Sequence, residues 1–124
     1  TDGEGMSFKE ALSYVATTGV KTEKGIFKIK DYALVKNIAA LRKAIVSNGP
    51  CIGGLPVYDS GNAAFWKSEF GDSGFLGYHA ISIVGYDKKG FLLRNSWGNS
   101  YGEKGYVILP YDEFGKFIEI WTII

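Results

Sequence analysis

Hydrophobic side chains in the first fifty residues recur at the spacing of two short amphipathic helices. Ser7 and Glu10 have the spacing of a capping box, in which the serine hydroxyl accepts a hydrogen bond from a backbone N–H three residues later. A helix is therefore predicted over residues 8–18. Asn37 is the predicted N-cap of the second helix. Residues 48–50, Asn-Gly-Pro, end it because glycine and proline continue a helix only at a cost in stability.

After residue 50 the apolar residues form short runs, several of which alternate with polar residues as β-strands do. The predicted strands cover residues 32–35, 51–57, 79–86, 91–95, 105–109 and 117–124. Residues 26–29 fit either a short strand or an extended connection. Residues 59–77 are rich in Gly, Ser and Asp around Phe65 and Trp66, so we expect a long surface excursion there. Two helices and an antiparallel, β-barrel-like sheet place the chain in the α+β class.

The composition is that of a single packed domain without a membrane or nucleic-acid partner. Apolar residues make up 46% of the 124 residues, and no apolar run approaches the roughly 18 residues that span a bilayer. A formal net charge of +1 gives no electrostatic reason to bind nucleic acid or an acidic membrane. With one cysteine and one histidine, the chain cannot form an internal disulfide and is a poor candidate for a zinc site. We expect no metal and no cofactor.

The first residues predict that the chain is part of a longer protein. It begins with Thr1 rather than with methionine, and it shows neither the basic nor the apolar region of a signal peptide. We expect a soluble processed product or fragment, and the sequence does not indicate its compartment.

His79 and Asn95, sixteen positions apart, are the residues with the clearest chemical potential. His79 precedes an apolar strand, and a polar group at the rim of a sheet is easier to solvate than one in a core. Trp97 follows Asn95 closely enough to cover a hydrogen bond between the two side chains, which strengthens such a bond. Taken singly, they are more often a structural histidine, a turn asparagine and a core tryptophan. Together they indicate a base with an orienting partner.

A hairpin between the two predicted strands would bring His79 and Asn95 together, because each is eight residues from Asp87. A plain two-residue turn at 88–89 would nevertheless put them on opposite faces of the sheet. An odd-length loop, a bulge at Gly90 or a strong twist would correct the register, and the sequence does not choose among these.

The order of these motifs resembles the C-terminal half of the papain-like cysteine peptidases. Gly77-Tyr78-His79-Ala80 opens an apolar strand, and Asn95-Ser96-Trp97-Gly98 is followed by Tyr101 and two further glycines. The resemblance extends from about Ser7 to Tyr111. The main departure is mild, since Tyr101 stands where the family usually has Trp.

The resemblance implies one lobe of a two-lobed enzyme, a single unit over residues 1–124. Residues 1–20 would form the edge of the other lobe, and residues 32–124 would form the barrel lobe. The helix that carries the nucleophilic cysteine in the family, and the glutamine that supplies an oxyanion donor, are absent from this sequence. A Cys-containing N-terminal lobe, from the same precursor or from another chain, is therefore an expected partner.

The resemblance also implies catalytic roles and a peptide or protein substrate. His79 would form the thiolate–imidazolium pair and later protonate the leaving amine. Asn95 would orient His79, and Trp97 would shield the hydrogen bond between them. The chain would thus belong to a cysteine endopeptidase that hydrolyses peptide bonds through a Cys-His-Asn site.

Four further residues would contact the substrate in such an enzyme. The backbone carbonyl of Tyr78 would meet the substrate backbone, and Tyr101 would keep an aromatic surface near the leaving group. Ala80 and Gly54 would line the pocket for the side chain next to the scissile residue. Because both are small, we expect a roomy, apolar pocket that accepts a bulky hydrophobic side chain.

Cys51 is the one cysteine of the chain, and it opens an apolar strand after Pro50. A free cysteine in such a place is usually a small buried hydrophobic residue. We therefore expect Cys51 to be structural and the chain alone to be inactive. Two alternatives stay open: a non-catalytic papain-like binding or structural module, and an assembly in which a separate chain supplies the cysteine lobe.

Overall fold

The computed structural model describes residues 7–59, 64–67, 74–94 and 105–124. The elements in chain order are α1 Phe8–Thr17, β1 Val20–Thr22, β2 Gly25–Phe27, β3 Tyr32–Leu34, α2 Ile38–Asn48, β4 Cys51–Tyr58, β5 Phe75–Tyr86, β6 Gly90–Arg94, β7 Tyr106–Pro110, a 3₁₀ helix Tyr111–Lys116 and β8 Glu119–Ile123. Across these described ranges, no helix combines the length and apolarity needed to cross a membrane.

Both α-helices begin at the side-chain caps that the sequence predicts. Ser7 Oγ accepts a hydrogen bond from the Glu10 N–H at 3.1 Å, and Asn37 Oδ1 accepts one from the Ala40 N–H at 2.7 Å. Gly49 follows the end of α2 with a φ of 90°, a conformation that glycine adopts without steric cost. Local chemistry therefore fixes where α2 stops and where β4 can start.

Six of the strands form one antiparallel sheet in the order β3-β8-β4-β5-β6-β7, and β1 and β2 form a separate hairpin. The C-terminal strand β8 lies between β3 and β4, so the two halves of the chain are joined inside the sheet. The predicted α+β antiparallel fold is confirmed. In the described part of the chain the sheet is open, with edges at β3 and β7, and the strands do not close into a barrel.

Apolar side chains pack on both faces of the sheet. Alternation along β8 shows this division, because Ile120 belongs to the larger cluster and the adjacent Trp121 belongs to a smaller one. The smaller cluster includes Leu12 of α1, so α1 packs on that face. The larger cluster packs against α2, and its fully buried aliphatic side chains are Leu41, Leu55, Ile83, Leu93 and Leu109.

The predicted surface excursion over residues 59–77 is wrong in two respects. The strand β5 begins at Phe75, four residues before the predicted start. Phe65 and Trp66 are only 2% and 1% exposed and belong to the larger cluster. The polar composition of the stretch concealed an apolar pair that is part of the core. Residues 60–63 and 68–73 lie outside the described ranges.

The β5–β6 hairpin carries a register correction within β5 rather than in its loop. Ile83 pairs with Leu93, whereas Gly85 pairs with Leu92, so Val84 is the extra residue of a β-bulge. Both Ile83 and Leu93 are fully buried. Without the extra residue Leu93 would turn away from the core, because a slip of one residue moves every side chain to the other face.

Candidate active site

His79 lies within β5, opposite Leu55 of β4. Because side chains alternate along a strand, His79 shares its face with Ile81 and Ile83, which are buried in the larger cluster. The imidazole is half-buried, and its centroid lies 6.3 Å from that of Phe65 with the ring planes at 81°. The expected place at the start of the strand is wrong, since β5 begins at Phe75; His79 is an internal strand residue.

Gly54 and Ala80, the two predicted pocket residues, are direct neighbours across β4 and β5. They face the side of the sheet opposite to the His79 side chain, and Ala80 is exposed. A Cβ atom on Gly54 would lie 3.1 Å from Cε2 of Phe8, so the edge of this phenyl ring lies next to Gly54. The sequence did not predict that Phe8 lies next to Gly54, because its pattern indicated only that Phe8 is the first apolar residue of a helix.

Tyr78 belongs to a row of aromatic side chains on the same face as Ala80. It is 70% exposed and pairs with Pro56 across the ladder. Its ring meets Phe75 edge-on at 5.2 Å, and Phe75 meets Tyr58 in the same way at 5.6 Å. On this face, the small pair Gly54 and Ala80 is therefore followed along the β4–β5 ladder by an aromatic surface.

Three predicted site residues lie outside the described ranges: Asn95, Trp97 and Tyr101. Arg94, in β6, pairs with Ser82, three residues along β5 from His79. The structure thus brings His79, Tyr78, Ala80 and Gly54 together on one hairpin. The meeting of His79 with Asn95 stays a prediction.

Cys51 lies at the start of β4 and is 2% exposed. Burial raises the pKa of its thiol above the ordinary value, and a hydrogen bond with the Thr122 side chain opposes this shift. Cys51 pairs with Ile83, four residues along β5 from His79, which corresponds to about 13 Å. A nucleophile and its base need hydrogen-bond reach, about 3 Å, so the geometry supports a structural role for Cys51.

The chemistry available among the described residues centres on the imidazole of His79, because an imidazole has one nitrogen that can accept a proton and one that can donate it. Arg94, which pairs with Ser82 on the opposite face of β5 from His79, donates a hydrogen bond from its Nη1 to the Tyr106 hydroxyl at 2.9 Å. Within the described ranges, no group of three or more His, Cys, Asp and Glu side chains could hold a metal ion. The described residues therefore place an imidazole on one face of β5 and the small residues Gly54 and Ala80 on the other face.

The antiparallel sheet, with α1 and α2 on opposite faces and His79 on an inner strand, is similar to the fold of solved cysteine proteases. Xylellain, a cysteine protease from Xylella fastidiosa, superposes with a TM-score of 0.76 and 25% identity over 96% of this chain and 61% of that protein. The sequence matches the papain family cysteine proteases over residues 2–117. The chain belongs to this family.

Curated relatives are also cysteine proteinases, and they are longer than this chain. The gut-specific cysteine proteinase of Caenorhabditis elegans is 34% identical over 89 residues, which are 64% of this chain and 26% of that protein. The cathepsin B-like cysteine proteinase 3 of Ostertagia ostertagi is 37% identical over 82 residues, 60% of this chain and 46% of that protein. The chain therefore spans about a quarter to a half of the relatives it matches.

Proposed function

We propose that this chain is the C-terminal part of a papain-like cysteine endopeptidase and supplies His79 and Asn95 to a Cys-His-Asn site. The nucleophilic cysteine comes from an N-terminal lobe, which belongs to the same precursor or to another chain. The observation that carries the proposal is the family match over residues 2–117, because it spans both His79 and Asn95. The shorter length relative to xylellain and the curated relatives supports a missing lobe.

The proposed reaction is acyl transfer through a thioester. His79 takes the proton of the cysteine thiol, and the thiolate attacks the carbonyl carbon of the scissile peptide bond. The imidazolium then gives this proton to the leaving amine as the carbon–nitrogen bond breaks. Water, deprotonated by His79, attacks the thioester and releases the acid product and the thiol. Each step needs the same imidazole, first as base and then as acid.

The hairpin geometry supports the pairing of His79 with Asn95. The bulge at Val84 places Leu93 on the same face of the sheet as His79, which removes the register problem of a plain two-residue turn. Arg94, the residue before Asn95, pairs at a position about 10 Å along β5 from His79. Asn95 orients the imidazole without adding charge, and Trp97 shields their hydrogen bond.

The substrate is a peptide or protein with a bulky hydrophobic side chain next to the scissile residue. Gly54 and Ala80 form the floor of its pocket, and the ring of Phe8 forms a wall, because it lies within contact distance of a Cβ at Gly54. The backbone carbonyl of Tyr78 meets the substrate backbone. Tyr101 contributes an aromatic surface on the leaving-group side.

The experiment that tests this function uses the longer protein that contains the chain. The coding sequence upstream of Thr1 should encode a Gln-x-x-x-x-x-Cys-Trp-like segment within about 100 residues, one domain length. In peptide hydrolysis assays of that protein, His79→Ala should abolish activity. Asn95→Ala should lower kcat by about 100-fold, since an orienting partner holds the base in its productive tautomer.

Ser82→Ala is the matched control, because Ser82 is an exposed residue of the same strand on the opposite face. It should leave hydrolysis unchanged. Hydrolysis that survives His79→Ala in a folded protein would refute the proposal. A coding sequence without the cysteine segment, and no partner chain that supplies it, would favour the non-catalytic binding or structural module instead.

A further inference from the structure

We propose that Trp66 and Glu113 position the imidazole of His79 by acting through Phe65. Phe65 and Trp66 lie in the described turn 64–67, and Glu113 lies in the 3₁₀ helix that follows β7. The functional meaning of this inference rests on the proposed role of His79. The arrangement itself is a property of the folded chain and can be tested without any hydrolysis.

The turn is attached to the sheet at one side and to the 3₁₀ helix at the other. The Tyr58 N–H, at the end of β4, donates to the Phe65 carbonyl at 2.8 Å. The indole Nε1–H of Trp66 donates to Glu113 Oε1 at 3.1 Å, and Lys67 Nζ lies 3.0 Å from the same oxygen. Because Trp66 is 1% exposed, losing this acceptor would leave a buried donor unsatisfied.

Phe65 links the attached turn to His79, because its ring contacts both the Trp66 ring and the imidazole. Its ring meets the Trp66 ring at 5.2 Å and 82°, and it meets the imidazole at 6.3 Å and 81°. Both contacts have the near-perpendicular geometry that aromatic pairs favour. Phe65 is 2% exposed within the larger cluster, where close packing opposes its movement. The imidazole therefore cannot turn toward Phe65 without displacing it and straining the Trp66–Glu113 hydrogen bond.

A fixed imidazole matters because a general base must present its nitrogen within about 3 Å of the proton it takes. Small errors of position lower the rate of such a step strongly. An apolar contact from Phe65 restricts the ring without adding a charge next to it. Glu113 is 47 residues from Trp66 along the chain, so no local sequence pattern reveals the network. Trp66 and Glu113 are positioning residues, since they act on His79 through Phe65.

The test uses the single histidine of the chain, which gives one set of imidazole resonances in NMR spectra of tag-free, isotope-labelled protein. The wild-type chain should show nuclear Overhauser effects between the rings of Phe65 and His79. Trp66→Phe and Glu113→Leu should weaken them and shift the imidazole Cδ2–H and Cε1–H resonances, although neither changes Phe65 or His79. Glu113→Gln keeps an oxygen acceptor for the indole and should retain the wild-type resonances.

Two control variants separate positioning from general stability. Lys67→Met removes the ion pair to Glu113, and its side chain is 52% exposed, so the His79 resonances should not move. Asn48→Ala removes the hydrogen bond from Asn48 to the Thr122 hydroxyl, remote in sequence from the turn, and should lower the melting temperature without moving them.

The inference would be overturned if folded Trp66→Phe kept both the wild-type His79 resonances and the wild-type nuclear Overhauser effects between Phe65 and His79. If Glu113→Leu does not fold, Trp66→Phe decides by the same criterion. A longer protein that lacks peptidase activity would refute the proposed function and leave this result as it stands.

Discussion

Gly53 and Gly54 are adjacent in β4, but a side chain on each would meet a different partner. A Cβ on Gly53 would lie 2.9 Å from Cε1 of Phe117, which packs against the larger cluster. A Cβ on Gly54 would lie 3.1 Å from Cε2 of Phe8, at the proposed substrate pocket. A methyl group added at the two positions therefore separates an effect on stability from an effect on specificity.

Gly54→Ala should change substrate preference in the longer protein. The methyl group narrows the pocket, and one methylene of mismatch in a hydrophobic pocket costs about 1–3 kcal/mol of transition-state binding. We compare two peptides that differ only in the residue next to the scissile residue, which is phenylalanine in one and alanine in the other. We expect kcat/KM to fall about tenfold for the phenylalanine peptide and much less for the alanine peptide. Gly53→Ala should lower the melting temperature and leave the ratio of the two kcat/KM values unchanged. An equal loss with both peptides in Gly54→Ala would contradict the pocket assignment.

At the scale of elements, β6 and β7 approach each other closely at the start of β6. A Cβ on Gly90 would lie 2.1 Å from the Leu109 carbonyl oxygen of β7, which is backbone and cannot move aside cheaply. Gly85, in the partner strand β5, has nothing within 4 Å of the corresponding position. Both glycines lie in the same hairpin, so the stabilities of their alanine variants can be compared directly.

Gly90→Ala should destabilise the chain by about 3 kcal/mol, because the methyl group must push two backbones apart. Gly85→Ala should stay within about 0.5 kcal/mol of the wild type. Urea denaturation of both variants, followed by circular dichroism, measures the difference. Equal losses in both would mean that the contact at Gly90 relaxes easily, contrary to the structure.

The elements also show which features can be predicted from sequence. The helix starts at Ser7 and Asn37 follow from local capping, so both were predictable. The bulge at Val84 and the burial of Phe65 and Trp66 depend on partners far along the chain, and composition concealed the aromatic pair. Motif order made His79 a candidate site residue, but no local pattern related Phe8 to Gly54 or Glu113 to Trp66.

At the scale of the whole molecule, the fold is that of one lobe of a papain-family protein. The chain aligns over 96% of its own length with 61% of xylellain. Cys51 pairs with Ile83, which is about 13 Å along β5 from His79. The buried thiol of Cys51 has a raised pKa, so at neutral pH it holds less thiolate than an ordinary cysteine. The proposed reaction therefore needs a cysteine other than Cys51.

The most direct measurement is peptide mass spectrometry of the longer protein after brief treatment with iodoacetamide at neutral pH. We expect fast alkylation of one cysteine upstream of Thr1, with parallel loss of hydrolysis, and we expect His79→Ala to slow this alkylation. Cys51 should stay unmodified, and Cys51→Ala should retain hydrolysis. Alkylation of Cys51 in step with the loss of hydrolysis would contradict its structural role. Upstream alkylation at the same rate in His79→Ala would contradict the role of His79 as the base.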